Sequence, residues 1–123
     1  MSERVDRKSL SRAYKETTRP AGLFAVRNVT EGTMLIGTSV DLPSMLNRQR
    51  FQLEMGTHPD KALQADWNRL GPDAFSFEVL DRLPLPETEA HNVGEELVTL
   101  RDMWLQKLVD EGQALYPWSS RKA

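Results

Sequence analysis

The chain has 123 residues, a length that suits one small domain with a single hydrophobic core. It contains no cysteine, so disulfide scaffolds, thiol nucleophiles and thiolate metal sites are excluded. The net charge is only −2, yet residues 1–50 hold 9 basic and 5 acidic side chains, whereas residues 51–123 hold 7 and 13. A total this close to zero argues against a dedicated high-affinity nucleic-acid binder, although it is compatible with a basic face.

No apolar run approaches the roughly 18 residues that a membrane-spanning helix needs, and the N-terminus has no apolar signal core. We therefore expect a cytoplasmic protein that does not enter a membrane. The two histidines, His58 and His91, are too few and too far apart in the sequence to predict a zinc site. The length leaves no room for a second independent core.

The two ends of the chain differ in pattern from the rest. Residues 1–19 are crowded with charge and predict a short basic helix at residues 6–16, which ends before Arg19-Pro20 because the residue before a proline avoids the α region. A frayed basic arm is the alternative for this segment. Residues 113–123 have no apolar periodicity, and we expect them to form a partly ordered tail.

Two short apolar runs at residues 23–26 and 34–37 predict a β-hairpin. Residues 28–32 between them are rich in turn formers, and both runs are rich in residues that favour strands. Neither run alternates polar with apolar residues. We therefore expect both faces of these strands to be covered.

A helix is predicted at residues 42–54. Asp41 supplies a capping side chain, Pro43 suits a first helical turn, and apolar residues recur on one face. Gln49 is the polar member of that apolar stripe. It lies either at the rim of the core or in a site at the crevice between sheet and helix.

Two further helices complete the pattern. One begins near Pro59 and ends before Gly71-Pro72. The last runs over about residues 87–111, with an interruption at Gly94. Arg101 falls within the apolar stripe of this last helix, where a cation needs a partner or a route to solvent.

A third strand is predicted at residues 74–80, where Phe75, Phe77 and Val79 alternate with polar side chains. The element order is therefore helix, strand, strand, helix, helix, strand, helix. This order predicts an α+β domain at residues 20–112, with a small three-stranded antiparallel sheet flanked by helices.

Several segments of this domain, in order and with their spacing, resemble the GIY-YIG nuclease family. The resemblance covers about residues 20–110, and its middle part is similar to the homing-endonuclease members. The matching segments are Gly22-Leu23-Phe24, Gly32-Thr33-Met34-Leu35-Ile36-Gly37-Thr38-Ser39, Asp41-Leu42, Gly56-x-His58, Leu63-Gln64-x-x-Trp67-Asn68-x-x-Gly71, Phe75-x-Phe77-x-Val79-Leu80 and Trp104-Leu105-x-x-Leu108. The glycines Gly22 and Gly37 fit positions where backbone packs closely, a requirement that exists without catalysis.

The resemblance implies a metal-assisted phosphodiesterase mechanism. In such enzymes two tyrosines position and deprotonate the attacking water, an arginine stabilises phosphoryl charge, and a glutamate on the last helix holds a divalent cation such as Mg²⁺. At the matching positions this sequence has Phe24, Leu35, Met45 and Arg101. The resemblance therefore implies a domain that is degenerate at its catalytic positions, with no intact catalytic residue and no metal ligand.

His58 and Gln49 are candidate remnants of the site. His58 falls on a loop where some family members carry a histidine, and an exposed loop residue is the alternative. The guanidinium of Arg48, one turn beyond Met45, is a candidate to reach the position that lacks its arginine. Solvated surface charge is the alternative for each expected nucleic-acid contact. The expected nucleic-acid contacts are Arg27, Arg48, Arg50, His58 and Lys61.

Three functions follow as alternatives. The first is a catalytically impaired endonuclease-like domain, not an enzyme, with weak DNA binding and no cofactor. The second is an active metal-dependent DNA endonuclease whose rearranged site uses His58, Arg48 and an acidic residue that the sequence does not locate, together with Mg²⁺ or Mn²⁺. The third is a structural or protein-interaction domain in which apolar side chains have refilled the former site.

Overall fold

Three strands and three helices make up the part of the chain that the computed structural model describes, residues 20–83 and 93–120. The α+β prediction, with a small three-stranded antiparallel sheet flanked by helices, is confirmed. The helix predicted at residues 6–16 and the first residues of the last predicted helix lie outside the described residues. The elements are β1 Gly22–Asn28, β2 Met34–Ser39, α1 Leu42–Met55, α2 Lys61–Leu70, β3 Phe75–Arg82 and α3 Val93–Asp110, with short 3₁₀ turns at Pro72–Ala74 and Pro117–Ser120.

β1 is the central strand and pairs antiparallel with β2 on one side and β3 on the other. Side chains alternate between the two faces of a strand. Phe24 and Val26 pack in the core on the side of α1 and α2, whereas Leu23 and Ala25 pack with Leu108 of α3 on the other side. The prediction that both faces of this strand are covered is confirmed, since all four side chains are at most 3% exposed.

Capping residues fix where the first two helices begin. The carboxylate of Asp41 accepts a hydrogen bond from the Ser44 N–H. α1 ends at Met55, one residue beyond the predicted limit, and Gly56 in the left-handed region is its C-cap. α2 begins at Lys61, two residues later than predicted. Its N-cap is Asp60, whose Oδ1 accepts from the Leu63 N–H at 3.1 Å.

The last helix, α3, runs from Val93 to Asp110 and has Gly94 in its first described turn. Residues 84–92 lie outside the described part of the chain, so the interruption expected at Gly94 stays a prediction. A single glycine weakens a helix by only about 1 kcal/mol relative to alanine. The apolar side chains that follow it, including Leu100 and Leu108, pack on the sheet and stabilise the helix.

Residues 113–120 of the C-terminal segment pack along the edge of the sheet, which corrects the prediction of a partly ordered tail for this part of it. It runs along the outer edge of β2, where Met34 N donates to Ala114 O and Tyr116 N donates to Met34 O. The Ser119 hydroxyl accepts from Ile36 N at 3.0 Å. Backbone groups that an edge strand would leave to solvent are therefore satisfied by this segment.

Tyr116 also ties the same segment to the turn end of the hairpin and to α2. Its hydroxyl donates to the carboxylate of Asp66 at 2.7 Å and accepts from the Asn28 side chain at 3.1 Å. Burial raises the pKa of Tyr116, so the hydroxyl stays protonated and remains a donor. Hydrogen bonds at several places hold the segment, and its apolar side chains Leu115 and Tyr116 pack in the core.

No helix within residues 20–83 and 93–120 combines the length and the apolar character that crossing a bilayer requires.

Alanine substitutions at two adjacent serines, Ser119 and Ser120, test whether the C-terminal segment stabilises the sheet. Ser119→Ala leaves the buried Ile36 N–H without its acceptor, and we expect it to lower the free energy of unfolding by about 1–3 kcal/mol. Ser120 is exposed, and Ser120→Ala should change it by less than about 0.5 kcal/mol. Urea unfolding followed by circular dichroism measures both values. Equal values for the two variants would contradict this packing.

Candidate functional site

One cavity of about 420 Å³ lies where the hairpin, α1, the loop before α2, α3 and the C-terminal segment meet. It brings together all four positions at which the resemblance places catalytic groups, together with both candidate remnants. The residues that line it are Phe24, Leu35, Ile36, Gly37, Thr38, Met45, Gln49, His58, Arg101 and Trp118. The cavity therefore lies where the resemblance places the catalytic site. Its side chains differ from the catalytic groups that the resemblance implies.

The two motif glycines allow the strands to pack closely around this cavity. A Cβ atom at Gly37 would lie 2.8 Å from Cζ of Phe24, so the aromatic ring rests directly on the glycine. A Cβ atom at Gly22 would overlap the carbonyl oxygen of Asp81 on β3. Both glycines meet a requirement of strand packing, and neither contributes a chemical group to the cavity.

His58 is buried, with 4% of its surface exposed, so it is not an exposed loop histidine. The Asp60 N–H donates to His58 Nδ1 at 3.0 Å. Because Nδ1 accepts, the proton of the neutral ring lies on Nε2, which donates to Gln49 Oε1 at 2.6 Å. This bond also fixes the Gln49 amide, since the reversed orientation would set an NH₂ group against the Nε2–H group.

Burial lowers the pKa of His58 below its ordinary value, although the carboxylate of Asp60 acts in the opposite direction. A second proton would have to bind Nδ1, where it would face the Asp60 N–H donor. The ring is therefore neutral at neutral pH and both of its nitrogens are engaged. In this arrangement neither nitrogen is free to take a proton from a water in the cavity.

Arg101 projects from α3 into the cavity wall, and its side chain is only 11% exposed. Its Nη2 atom lies 3.5 Å from Oδ1 of Asp102, whose own side chain is 62% exposed. The acidic residues Glu95 and Glu96, one to two turns earlier on the same helix, line a different recess with Leu83. The wall of the cavity on this side thus carries a cation.

The residues present do not fit the divalent cation that the resemblance implies. Mg²⁺ takes oxygen ligands, usually including carboxylates, and no carboxylate is among the described residues that line the cavity. The Oε1 atom of Gln49 is already engaged by His58. Throughout residues 20–83 and 93–120, no group of three or more His, Cys, Asp or Glu side chains is arranged to hold a metal.

Three of the predicted phosphate contacts lie on the helices outside the cavity. Arg48 is exposed on α1 and does not line the cavity, so the structure does not support its predicted reach towards the position of Met45. The guanidinium of Arg50 lies 4.5 Å from the centre of the Phe77 ring. Lys61, the first residue of α2, is also exposed.

Arg27 is engaged within the sheet, which separates it from the other predicted contacts. Its Nε and Nη2 atoms donate to both carboxylate oxygens of Glu78 on β3, at 3.0 and 3.2 Å, and the Ser76 hydroxyl donates to the same carboxylate. These hydrogen bonds raise the pKa of Arg27 and lower the pKa of Glu78. Arg27 also points to the face of β1 opposite Phe24.

Sequence reasoning missed Trp118, Thr38 and Ile36 as lining residues. Trp118 reaches the cavity because its backbone N–H donates to Oδ2 of Asp60 at 2.9 Å. Asp60 could be recognised from the sequence as a helix cap, but no periodic pattern connects it to a residue 58 positions later. The aromatic residue in the tail was the one available signal.

The structure is similar to the catalytic domain of the homing endonuclease I-TevI. It superposes on one structure of that domain with a TM-score of 0.61 and 19% identity, over 76% of this chain and 94% of that one. A mutant of the catalytic domain of the intron endonuclease I-TevI gives a TM-score of 0.65 and 18% identity, over 84% of this chain and 97% of that one. No protein-family model and no curated protein matches the chain. The chain thus has a GIY-YIG-like fold.

The protonation state of His58 can be measured directly. His91→Gln leaves His58 as the only histidine, so ¹H–¹⁵N NMR spectra of the ring report one titration. We expect a pKa below about 6.5 and a neutral form with its proton on Nε2.

Because the folded pKa is lowered, the contribution of His58 to the free energy of unfolding is complete above about pH 6.5. It is lost as the pH falls through the folded pKa. A pKa above that value, or a proton on Nδ1, would contradict the hydrogen-bonding pattern described above.

Proposed function

We propose that this chain is a GIY-YIG-like domain with impaired phosphodiester cleavage that retains weak contact with nucleic-acid phosphates. The observation that carries the proposal is Arg101, a cation in the cavity wall at the position where the resemblance places the metal-binding glutamate. The similarity of fold to an endonuclease catalytic domain supports the nuclease-like part.

The charge of Arg101 opposes a divalent cation in this cavity. At an effective dielectric constant near 20, two unit charges about 4 Å apart interact by roughly 4 kcal/mol, and a divalent ion doubles that value to roughly 8 kcal/mol. The attraction that a carboxylate at this position would exert on the divalent cation is also lost. A metal-assisted reaction at this place would therefore start from an unfavourable binding step.

The other positions lack the groups for proton transfer and charge stabilisation. Phe24 keeps an aromatic ring but has no hydroxyl, Leu35 has neither, and Met45 carries no charge where the resemblance implies an arginine. Removing a single transition-state donor typically costs on the order of 10²–10³ in rate. Three such losses together support a domain that does not cleave at a useful rate.

The alternative of an active nuclease with a rearranged site has less support. It requires His58 as a base, but Nδ1 accepts from the Asp60 N–H and Nε2 donates to Gln49. It also requires Arg48 in the cavity, and Arg48 is exposed outside it. The predicted participants are therefore either engaged elsewhere or not close to the site.

Nucleic-acid contact, if retained, would rest on exposed cations outside the cavity. Arg48 and Arg50 on α1 and Lys61 on α2 are exposed and offer guanidinium and ammonium donors to phosphates. The net charge of −2 supports a weak interaction rather than a tight one.

A cleavage assay tests the first part of the proposal. We expect no nicking of supercoiled plasmid and no cleavage of single-stranded DNA with Mg²⁺ or Mn²⁺, even at high protein concentration. Metal-dependent nicking that disappears in His58→Ala would overturn the proposal and favour the rearranged site.

A gain-of-function comparison sharpens the same test. A triple variant that combines Phe24→Tyr, Leu35→Tyr and Met45→Arg should remain inactive, because it retains the cation at position 101. Adding Arg101→Glu supplies the carboxylate, and this quadruple variant should acquire metal-dependent nicking. Equal nicking by the triple variant would contradict the role assigned to Arg101.

Salt-dependent binding tests the second part. We expect fluorescence anisotropy with labelled duplex DNA to give an affinity that falls as salt rises, because binding to phosphates releases counterions. Replacing Arg48, Arg50 and Lys61 by alanine should reduce the slope of log K against log salt by about 0.9 for each phosphate that is no longer neutralised. Arg82→Ala, an exposed arginine at the end of β3, is the matched control. Binding that is insensitive to salt would exclude phosphate contact.

A further inference from the structure

We propose that the outer edge of β2, where it borders the cavity, binds an extended peptide that carries one large apolar side chain. The peptide lies parallel to β2 and places this side chain in the cavity. The inference goes beyond the proposed function and does not depend on it, because it uses none of the exposed cations outside the cavity. It follows from the backbone groups at this edge, from the way the chain already pairs with it, and from the position of the cavity.

The outer edge of β2 presents the backbone groups of Met34, Ile36 and Thr38. In an antiparallel pair, every second residue of a strand bonds to a given neighbour, and the residues between them point to the other edge. Met34 uses both of its groups for the C-terminal segment and Ile36 N donates to the Ser119 hydroxyl, so these residues point away from β1. Neither Ile36 O nor Thr38 N has a hydrogen-bond partner among the described residues. The edge beside Gly37 therefore offers one acceptor and one donor.

The C-terminal segment shows how a peptide pairs with this edge. Leu115 lies opposite Met34 in a parallel bridge, and the chain then leaves the edge in the 3₁₀ turn that begins at Pro117. In a parallel ladder, one partner residue donates its N–H to one residue of the strand and accepts from the residue two positions later. The acceptor and the donor on either side of Gly37 have this relation. One residue of a peptide opposite Gly37 therefore satisfies both groups.

The cavity lies on the face to which the side chain of that peptide residue points. Residues opposite each other in a sheet share a face, so this side chain lies on the side of Phe24, whose ring rests on Gly37. Leu35 and Met45 pack in the same core cluster as Phe24 and line the cavity. A volume of about 420 Å³ lies within the range of small-molecule pockets, roughly 300–1,000 Å³, and suits one aromatic side chain.

A peptide fits this arrangement better than a nucleic acid does. One residue of an extended chain carries its N–H and its C=O on the same side, and its side chain stands perpendicular to them. A sugar-phosphate backbone supplies acceptors and negative charge, so it would leave Ile36 O unsatisfied and bring charge to walls that are mostly apolar. The ligand is therefore an extended stretch of polypeptide that adds to the edge of the sheet.

Three blocked peptides test the backbone contacts with the unmodified protein. The probe is acetyl-Ala-Phe-Ala-amide. One analogue is methylated on the Phe nitrogen, which faces Ile36 O, and the other on the nitrogen of the last Ala, which faces away from β2. We expect ¹H–¹⁵N NMR titrations to show saturable binding of the probe, with a shift of the Thr38 amide and slower hydrogen exchange of this amide in the complex.

The two methylated analogues should differ in affinity. Methylation on Phe should weaken binding by about fivefold or more, and methylation on the last Ala should change it by less than about twofold. Equal binding of the two analogues, or no saturable binding of the probe, would overturn the proposal. A Thr38 amide that is already protected from exchange in the free protein would overturn it as well, because another part of this chain or a second copy would then cover the edge.

Substitutions at Thr38 assign the edge. Thr38→Pro removes the N–H at an outward-facing edge position, where a sheet tolerates proline, and should weaken binding of the probe by about fivefold or more. Thr38→Val keeps the N–H and the shape of the side chain, and should leave the affinity within about twofold. Circular dichroism melting confirms that each variant is folded, and the methylated peptides test the same contact if Thr38→Pro is not. An unchanged affinity in folded Thr38→Pro would overturn the assignment.

A change in the probe tests the role of the cavity. Acetyl-Ala-Ala-Ala-amide has the same backbone and leaves the cavity unfilled, so it should bind about tenfold or more weakly than the Phe peptide. Equal affinity of the two peptides would show that the side chain does not enter the cavity, and would overturn this part of the proposal.

Discussion

The carboxylate of Asp60, which is 1% exposed, holds together the parts of the domain that form the cavity. One of its oxygens caps α2 by accepting from Leu63 N, and the other accepts from Trp118 N at 2.9 Å. Its backbone N–H fixes the ring of His58. A helix start, a histidine tautomer and the place of an aromatic residue in the cavity wall therefore depend on one buried side chain and its amide. The position of the C-terminal segment is thus set by the same residue that organises the site.

The periodic elements could be predicted well because their stability comes from apolar contacts that repeat along the sequence. The limits of α1 were predicted to within one residue, since Asp41 and the apolar stripe are both local signals. The packing of the C-terminal segment could not be predicted in this way. Backbone amides and the Ser119 hydroxyl hold it to β2, and no hydrophobic pattern in the sequence indicates such contacts.

Most of the residues that form the site could be predicted, whereas most of their hydrogen bonds and ion pairs could not. Family resemblance located Phe24, Leu35, Met45 and Arg101, and the structure brings all four into one cavity. The ion pair of Arg27 was beyond sequence reasoning, because its partner lies 51 residues away and becomes a neighbour only when β1 pairs with β3. Histidine burial was equally hidden, since the bond to Gln49 depends on how a loop folds back on α1.

The contact between Phe24 and Gly37 separates a requirement of packing from a requirement of catalysis. The ring fills the space in which a side chain at position 37 would have to begin, so a substitution there requires the ring to move. The ring imposes this constraint whether or not it bears a hydroxyl. The packing of the hairpin therefore requires the glycine with or without phosphodiester cleavage. Its presence reports how the scaffold packs and carries no information about whether nucleic acid is cut.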